Sequence, residues 1–132
     1  MGAWGCGSFE NDDALDWVYR LEKSRDFSVV EDAFDTVLSQ ATDYVEAPDC
    51  CCALAAAEVV AAVRGHPLPD LPEEVDEWVR MQREVNGKLV EKARRAVHVV
   101  LEESELKDLF DDSGHSGEWS ACVRDLIERL GG

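Results

Sequence analysis

Basic residues are scarce in this chain. Its 132 residues hold 13 Lys and Arg against 29 Asp and Glu, a formal charge of −16. A surface that acidic repels nucleic-acid phosphates and anionic membranes, so neither is an expected partner, and it favours basic proteins or cations. No apolar run approaches the roughly 20 residues that span a bilayer, and no cationic-then-apolar leader opens the chain. Met1-Gly2 has the start of a myristoylation signal, but Cys6 stands where Ser or Thr is needed and Trp4 fits poorly. Five cysteines (Cys6, Cys50, Cys51, Cys52 and Cys122) form no paired framework. Three in a row do not meet the Cα separation and direction of a disulfide, and the Cys-x-x-Cys spacings of structural zinc are absent. Reduced thiols and a cytoplasmic location follow as expectations. No segment alternates as a strand does.

What is present is helical periodicity. Asn11 or Asp12 is expected to cap a first helix with Ala14, Leu15, Val18 and Leu21 on its apolar face and Trp17 beside it. Ser28 and Glu31 read as a capping box for a second, with Val30, Phe34, Val37, Leu38 and Ala41 on one face. Asp49 is the expected cap of a third, Cys50 to Arg64, apolar nearly all round and closed by Gly65 with Pro67 beyond. Such a helix belongs at the centre. Pro72 suits the first turn of a fourth, carrying Val75, Trp78, Val79 and Val85, which Asn86-Gly87 interrupts. Leu89 to Leu101 is a fifth, and Ser104 caps a short one through Phe110. Asp111 to Gly117 reads as a loop before the last helix, which carries Trp119, Cys122, Val123, Leu126, Ile127 and Leu130. The whole chain, residues 1–132, is therefore expected to be one all-α domain, an irregular bundle of five to seven helices.

The opening, Met1-Gly-Ala-Trp-Gly-Cys-Gly-Ser-Phe-Glu-Asn-Asp-Asp-Ala-Leu-Asp-Trp17, interleaves Gly2, Gly5 and Gly7 with Trp4. Chain ends are ordinarily polar and loose, so a tryptophan here predicts a segment docked on the fold. Together with the run Ala53-Leu-Ala-Ala-Ala-Glu-Val-Val-Ala-Ala62, Tyr44-Val-Glu46, Trp78, Ser104-Glu-Leu-Lys-Asp-Leu109 and Trp119, this segment resembles a bacterial family catalogued as domain of unknown function 4259. The resemblance spans essentially the whole chain. It implies no reaction and assigns no catalytic residue.

Glu58 is the first candidate residue, because its helical neighbours Leu54, Ala55, Ala61 and Ala62 leave a carboxylate among apolar groups. A buried carboxylate must be neutralised or paired, and the expected partner is the glycine-rich terminus. In that lock Gly2, Trp4 and Gly5 bring backbone N–H groups and the indole close to it. Asp12, Asp13 and Asp16 are read first as favourable charge at a helix start, though the i,i+4 pair Asp12 and Asp16 can also offer two oxygens to a hard cation. Cys50 to Cys52 fall in an expected first turn, where the macrodipole lowers thiol pKa. His66, His98 and His115 form no motif with them, so buried structural thiols are the plainer reading. Residues 80–95 carry a local +4 on a remainder of −20, expected as an internally paired or solvated face. Trp17, Trp78 and Trp119 are expected in the core.

The function expected is non-enzymatic: an acidic domain that binds a basic protein, in the form of an immunity- or antitoxin-like inhibitor, through Asp12, Asp13, Asp16, Asp111, Asp112 and Glu118. No cofactor, metal or catalytic residue is assigned. A small hydrolase-like enzyme, or a thiol- or metal-responsive module built on Glu58 or Cys50 to Cys52, stays open as the alternative. Oligomeric state is not legible.

Overall fold

A computed structural model describes residues 9, 11–40, 44–69, 71–114 and 116–131 of the chain. Among the described residues seven helices follow one another: α1 (Asp12–Glu22), α2 (Ser28–Ser39), α3 (Ala47–Val63), α4 (Glu73–Arg80), α5 (Gly87–Glu102), α6 (Glu105–Ser113) and α7 (Ser116–Arg129). The domain is all-α, as the periodicity predicts, and an isolated parallel bridge joins Val45 to Ser104.

α3 is the axis. Cys50, Cys51 and every residue from Ala53 to Ala62 are buried, and α3 packs against each of the other six helices. Alanines on all sides let neighbouring backbones approach closely, which is why so many helices fit around one. Its end is sharp: Gly65 takes φ +93°, its N–H bonds to Ala62 O at 3.0 Å, and His66 N–H bonds to Ala61 O at 2.9 Å. Those two bonds make a Schellman stop, which a residue with a Cβ adopts only at a cost. Around α3 the other helices bury one stripe each. Trp17, Trp78 and Trp119 are all about 1% exposed, as expected of core aromatics. Phe27 meets Trp78 edge-on, and Phe110 stacks on Trp119, both at 5.4 Å between centroids.

Several local expectations change. The Ser28–Glu31 capping box does not form: Phe27 holds the cap position of α2 without a side-chain bond, and Asp26 Oδ1 accepts from Ser28 N–H instead. Nor does Asp49 cap α3, which begins at Ala47 with Pro48 in its first turn. The Ala47 N–H donates to Glu105 Oε1 at 2.8 Å, so a carboxylate from α6 serves that end, and Asp49 accepts from Gln40 Nε2. α4 stops at Arg80, leaving Val85 in the connector, and Asn86 caps α5 by accepting from Leu89 N–H at 2.8 Å. The expected loop at 111–117 shrinks, because α6 runs to Ser113 and Gly114 closes it at φ +81°.

Candidate functional site

Glu58 is 2% exposed in the middle of α3. Its carboxylate meets the guanidinium of Arg129, at the end of α7, in a two-pronged pair: Nη1 to Oε1 at 2.6 Å and Nη2 to Oε2 at 3.0 Å. Burial pulls the Arg129 pKa down, but the hydrogen bonds and charges of Glu58 and Asp125 outweigh it and leave the pKa raised. Arg129 also donates to Asp125 Oδ2 at 2.8 Å and to His66 O at 3.3 Å. Arg64 donates to Leu130 O at 2.6 Å and Arg94 to Gly131 O at 3.4 Å. Two arginines, Arg64 and Arg94, thus hold the carbonyls that follow α7, and Arg129 reaches from α7 itself to α3, so the end of α7 is tied to α3 and α5. The lock expected around Glu58 has a partner that the sequence reading passed over, on a helix 71 residues away. Its other proposed members, Gly2, Trp4 and Gly5, lie outside the described residues.

The cysteines overturn a second expectation. Because α3 starts three residues before Cys50, the thiols sit in its second turn, and the Cys50 N–H is already bonded to Glu46 O at 3.1 Å. Burial, rather than the helix dipole, then decides their acidity. It pushes Cys50 up to about 11 and Cys51 up to about 12. Cys52 also rises to about 11 through burial, although Arg20 lies beside it and pulls the other way. Arg20 Nη2 stands 3.9 Å from Cys52 Sγ, at a cleft of about 140 Å³ lined by Trp17, Arg20, Asp32, Asp49 and Cys52 among others. A nucleophilic thiol needs its pKa lowered and a base within reach; here the pKa values move the opposite way. Among the described residues no three His, Cys, Asp or Glu side chains are placed to hold a metal ion.

The six carboxylates expected to face a partner fall on three helices. Asp12 and Asp16 are exposed and Asp13 half-buried in α1; Asp111 and Asp112 are exposed in the last turn of α6; Glu118 is exposed in the first turn of α7. All but Asp16, which lies mid-helix, are at helix ends, and Asp111 and Asp112 are not on a loop. The basic stretch is partly consumed internally. Lys92 bridges Glu31 and Asp35 of α2 at 2.9 and 2.8 Å, Arg80 pairs with Asp76, and Arg94 pairs with Glu91. The Lys92 pKa is raised by its bonds to Asp35 and Glu31.

The family model described as Domain of unknown function (DUF4259) matches residues 2–121. The chain belongs to the DUF4259 family. No curated protein and no solved structure matches it significantly. In this DUF4259 chain the matched span includes Glu58, the three cysteines of α3 and all of α6, and it ends before Arg129. The sequence did carry a signal for Arg129: a base on the last turn of an amphipathic helix, beside the buried Leu126 and Leu130. No helix of the described residues is long and apolar enough to cross a membrane.

Proposed function

We propose that this DUF4259 chain is a non-enzymatic, cytoplasmic protein-binding domain that docks a basic protein through its carboxylates, as an immunity- or antitoxin-like inhibitor does. One observation carries the reading. The groups with chemical potential are committed inside the fold, Glu58 to Arg129 and the α3 thiols to burial, whereas the surplus negative charge lies on exposed helix faces. Carboxylates on a rigid helical frame steer a cationic partner and hold it without paying the ordering entropy of a flexible acidic tail.

The test is capture of the partner on the tagged protein at low and moderate salt. A stoichiometric basic protein that leaves as NaCl rises supports the reading. Reversing Asp12, Asp13, Asp16, Asp111, Asp112 and Glu118 together should weaken its retention at least about tenfold. A partner retained equally by the reversed variant, or no salt-labile partner at all, would overturn it.

A further inference from the structure

α2 divides its carboxylates between two flanks. Glu31 and Asp35, one turn apart, both bind Lys92 of α5, at 2.9 and 2.8 Å. Asp32 instead lines the cleft of about 140 Å³ where α2 meets α1 and α3. Arg20 of α1 and Asp49 of α3 line the same cleft. A guanidinium and carboxylates bordering one small space attract each other. Yet among the described residues neither Asp32 nor Asp49 comes within ion-pair distance of Arg20. Arg20 turns Nη2 to the Cys52 thiol at 3.9 Å, a weak acceptor whose own proton goes to Asp13 O at 3.8 Å. The dipole of α1 accounts for a base in its last turn. It does not account for one held on a thiol while two carboxylates line the same cleft.

The rest of the lining sorts by chemistry. The floor is apolar and fixed, with Trp17 1% and Ala33 7% exposed. Asp49 is fixed by Gln40, whose Nε2 donates to Oδ2 at 2.8 Å. Thr36 gives its hydroxyl proton to Asp32 O at 2.9 Å, so its oxygen has lone pairs left to accept with. Acceptors therefore come from α2 and α3, and the guanidinium donors come from α1. A volume of about 140 Å³ is well below the roughly 300 Å³ at which drug-sized ligands begin, so the occupant is small.

We propose that this cleft binds a small zwitterion, a free α-amino acid with a short side chain. The carboxylate takes two N–H groups of Arg20. The ammonium has three protons for the acceptors Asp32, Thr36 and Asp49, and the side chain rests against Trp17 and Ala33. A plain amine leaves Arg20 unmatched and lies beside a like charge. A plain carboxylate or phosphate meets two aspartates. A molecule carrying both signs satisfies the whole lining. None of the six carboxylates assigned to a protein partner lines this cleft, so the two assignments stand or fall separately.

The experiment is an NMR titration of the whole chain at pH 7, reading backbone amide shifts. The probes are L-alanine, ethylamine and propionate, the last two carrying one charge each. L-Alanine should saturate with a dissociation constant on the order of 1 mM, with shifts centred on Arg20, Ala33 and Cys52. Each single-charge probe should bind at least about tenfold more weakly. Arg20→Gln should weaken L-alanine about tenfold and bind ethylamine no worse than wild type; Asp32→Asn should weaken L-alanine about tenfold and bind propionate no worse. Both side chains are exposed and outside any ion pair among the described residues, so the variants should melt within about 2 °C of wild type. No saturation by L-alanine up to about 50 mM would overturn the proposal. So would ethylamine matching L-alanine on the wild type, which makes the cleft a socket for cations. Equal loss of L-alanine and ethylamine in Arg20→Gln would mean that Arg20 shapes the cleft without holding a carboxylate, and would overturn it too. The three-probe comparison on the wild type decides the matter even where a variant fails to fold.

Discussion

Cys51 shows how one residue's meaning depends on where its helix starts. Placed in a first turn, it would feel four free N–H groups and a lowered pKa; placed in a second turn, buried and then also against Asp13 and two neighbouring thiols, it is held protonated. The difference rests on Ala47-Pro48, because proline tolerates the first turn and extends α3 backward past Asp49. The sign of the pH effect follows. A thiol whose pKa is raised on folding favours the native state below its unfolded pKa of about 8.5. That stability is lost as pH climbs through the folded values of about 11 and 12. Native protein at pH 8 should therefore react with a thiol reagent slowly at Cys50 and Cys51, and the thermal midpoint should fall between pH 9 and 11. Cys51→Ala should flatten that fall. Rapid labelling of all three thiols in the folded state at pH 8 would contradict it.

Element boundaries were legible wherever the signal was local. Asn11, Asn86 and Ser104 each cap the helix that follows them, with side-chain bonds of 2.7, 2.8 and 3.1 Å to the third residue on. Ser28 failed to a closer neighbour, Asp26, which took its N–H two residues back; Asp49 failed to a distant one, Glu105 of α6, which took the α3 terminus. The same division holds for the candidate site. A buried Glu58 was readable from the alanines around it, but Arg129 comes from the far end of the chain, and no spacing on α3 announces it. This pair now sets the attachment of α7 to α3. Removing one member of a buried ion pair strands the other, at about 3–5 kcal/mol. Arg129 is 16% exposed, so the lower end of that range applies. Arg129→Met should lose about 3 kcal/mol in denaturant unfolding, whereas Arg80→Met, at a side chain 78% exposed, should lose less than about 1. Equal losses would mean that the Glu58 pair is no more than a surface contact.

At the scale of the whole molecule two electrostatic effects oppose each other. The excess of 16 negative charges repels itself and destabilises the compact state. Against it stand the exposed pairs, such as Lys92 with Glu31 and Asp35 or Lys107 with Asp111, each of which contributes little. Both weaken with salt, since the Debye length shrinks from about 30 Å at 0.01 M to about 3 Å at 1 M. The pairs are short-ranged, at 2.7 to 2.9 Å, and so lose little to screening. The repulsion sums over charges spread across the surface, many farther apart than a few ångströms, and is largely removed. Stability should therefore rise with NaCl. A gain of about 1 kcal/mol between 10 mM and 0.5 M corresponds to roughly 3–6 °C in a domain of this size. Scanning calorimetry at the two salt concentrations reads it directly. The same screening that steadies the free domain should release a cationic partner, so stability and binding move in opposite directions along one salt series. A midpoint that falls with salt would mean that the ion pairs outweigh the repulsion, and that the acidic excess is already balanced within the fold rather than held for another molecule.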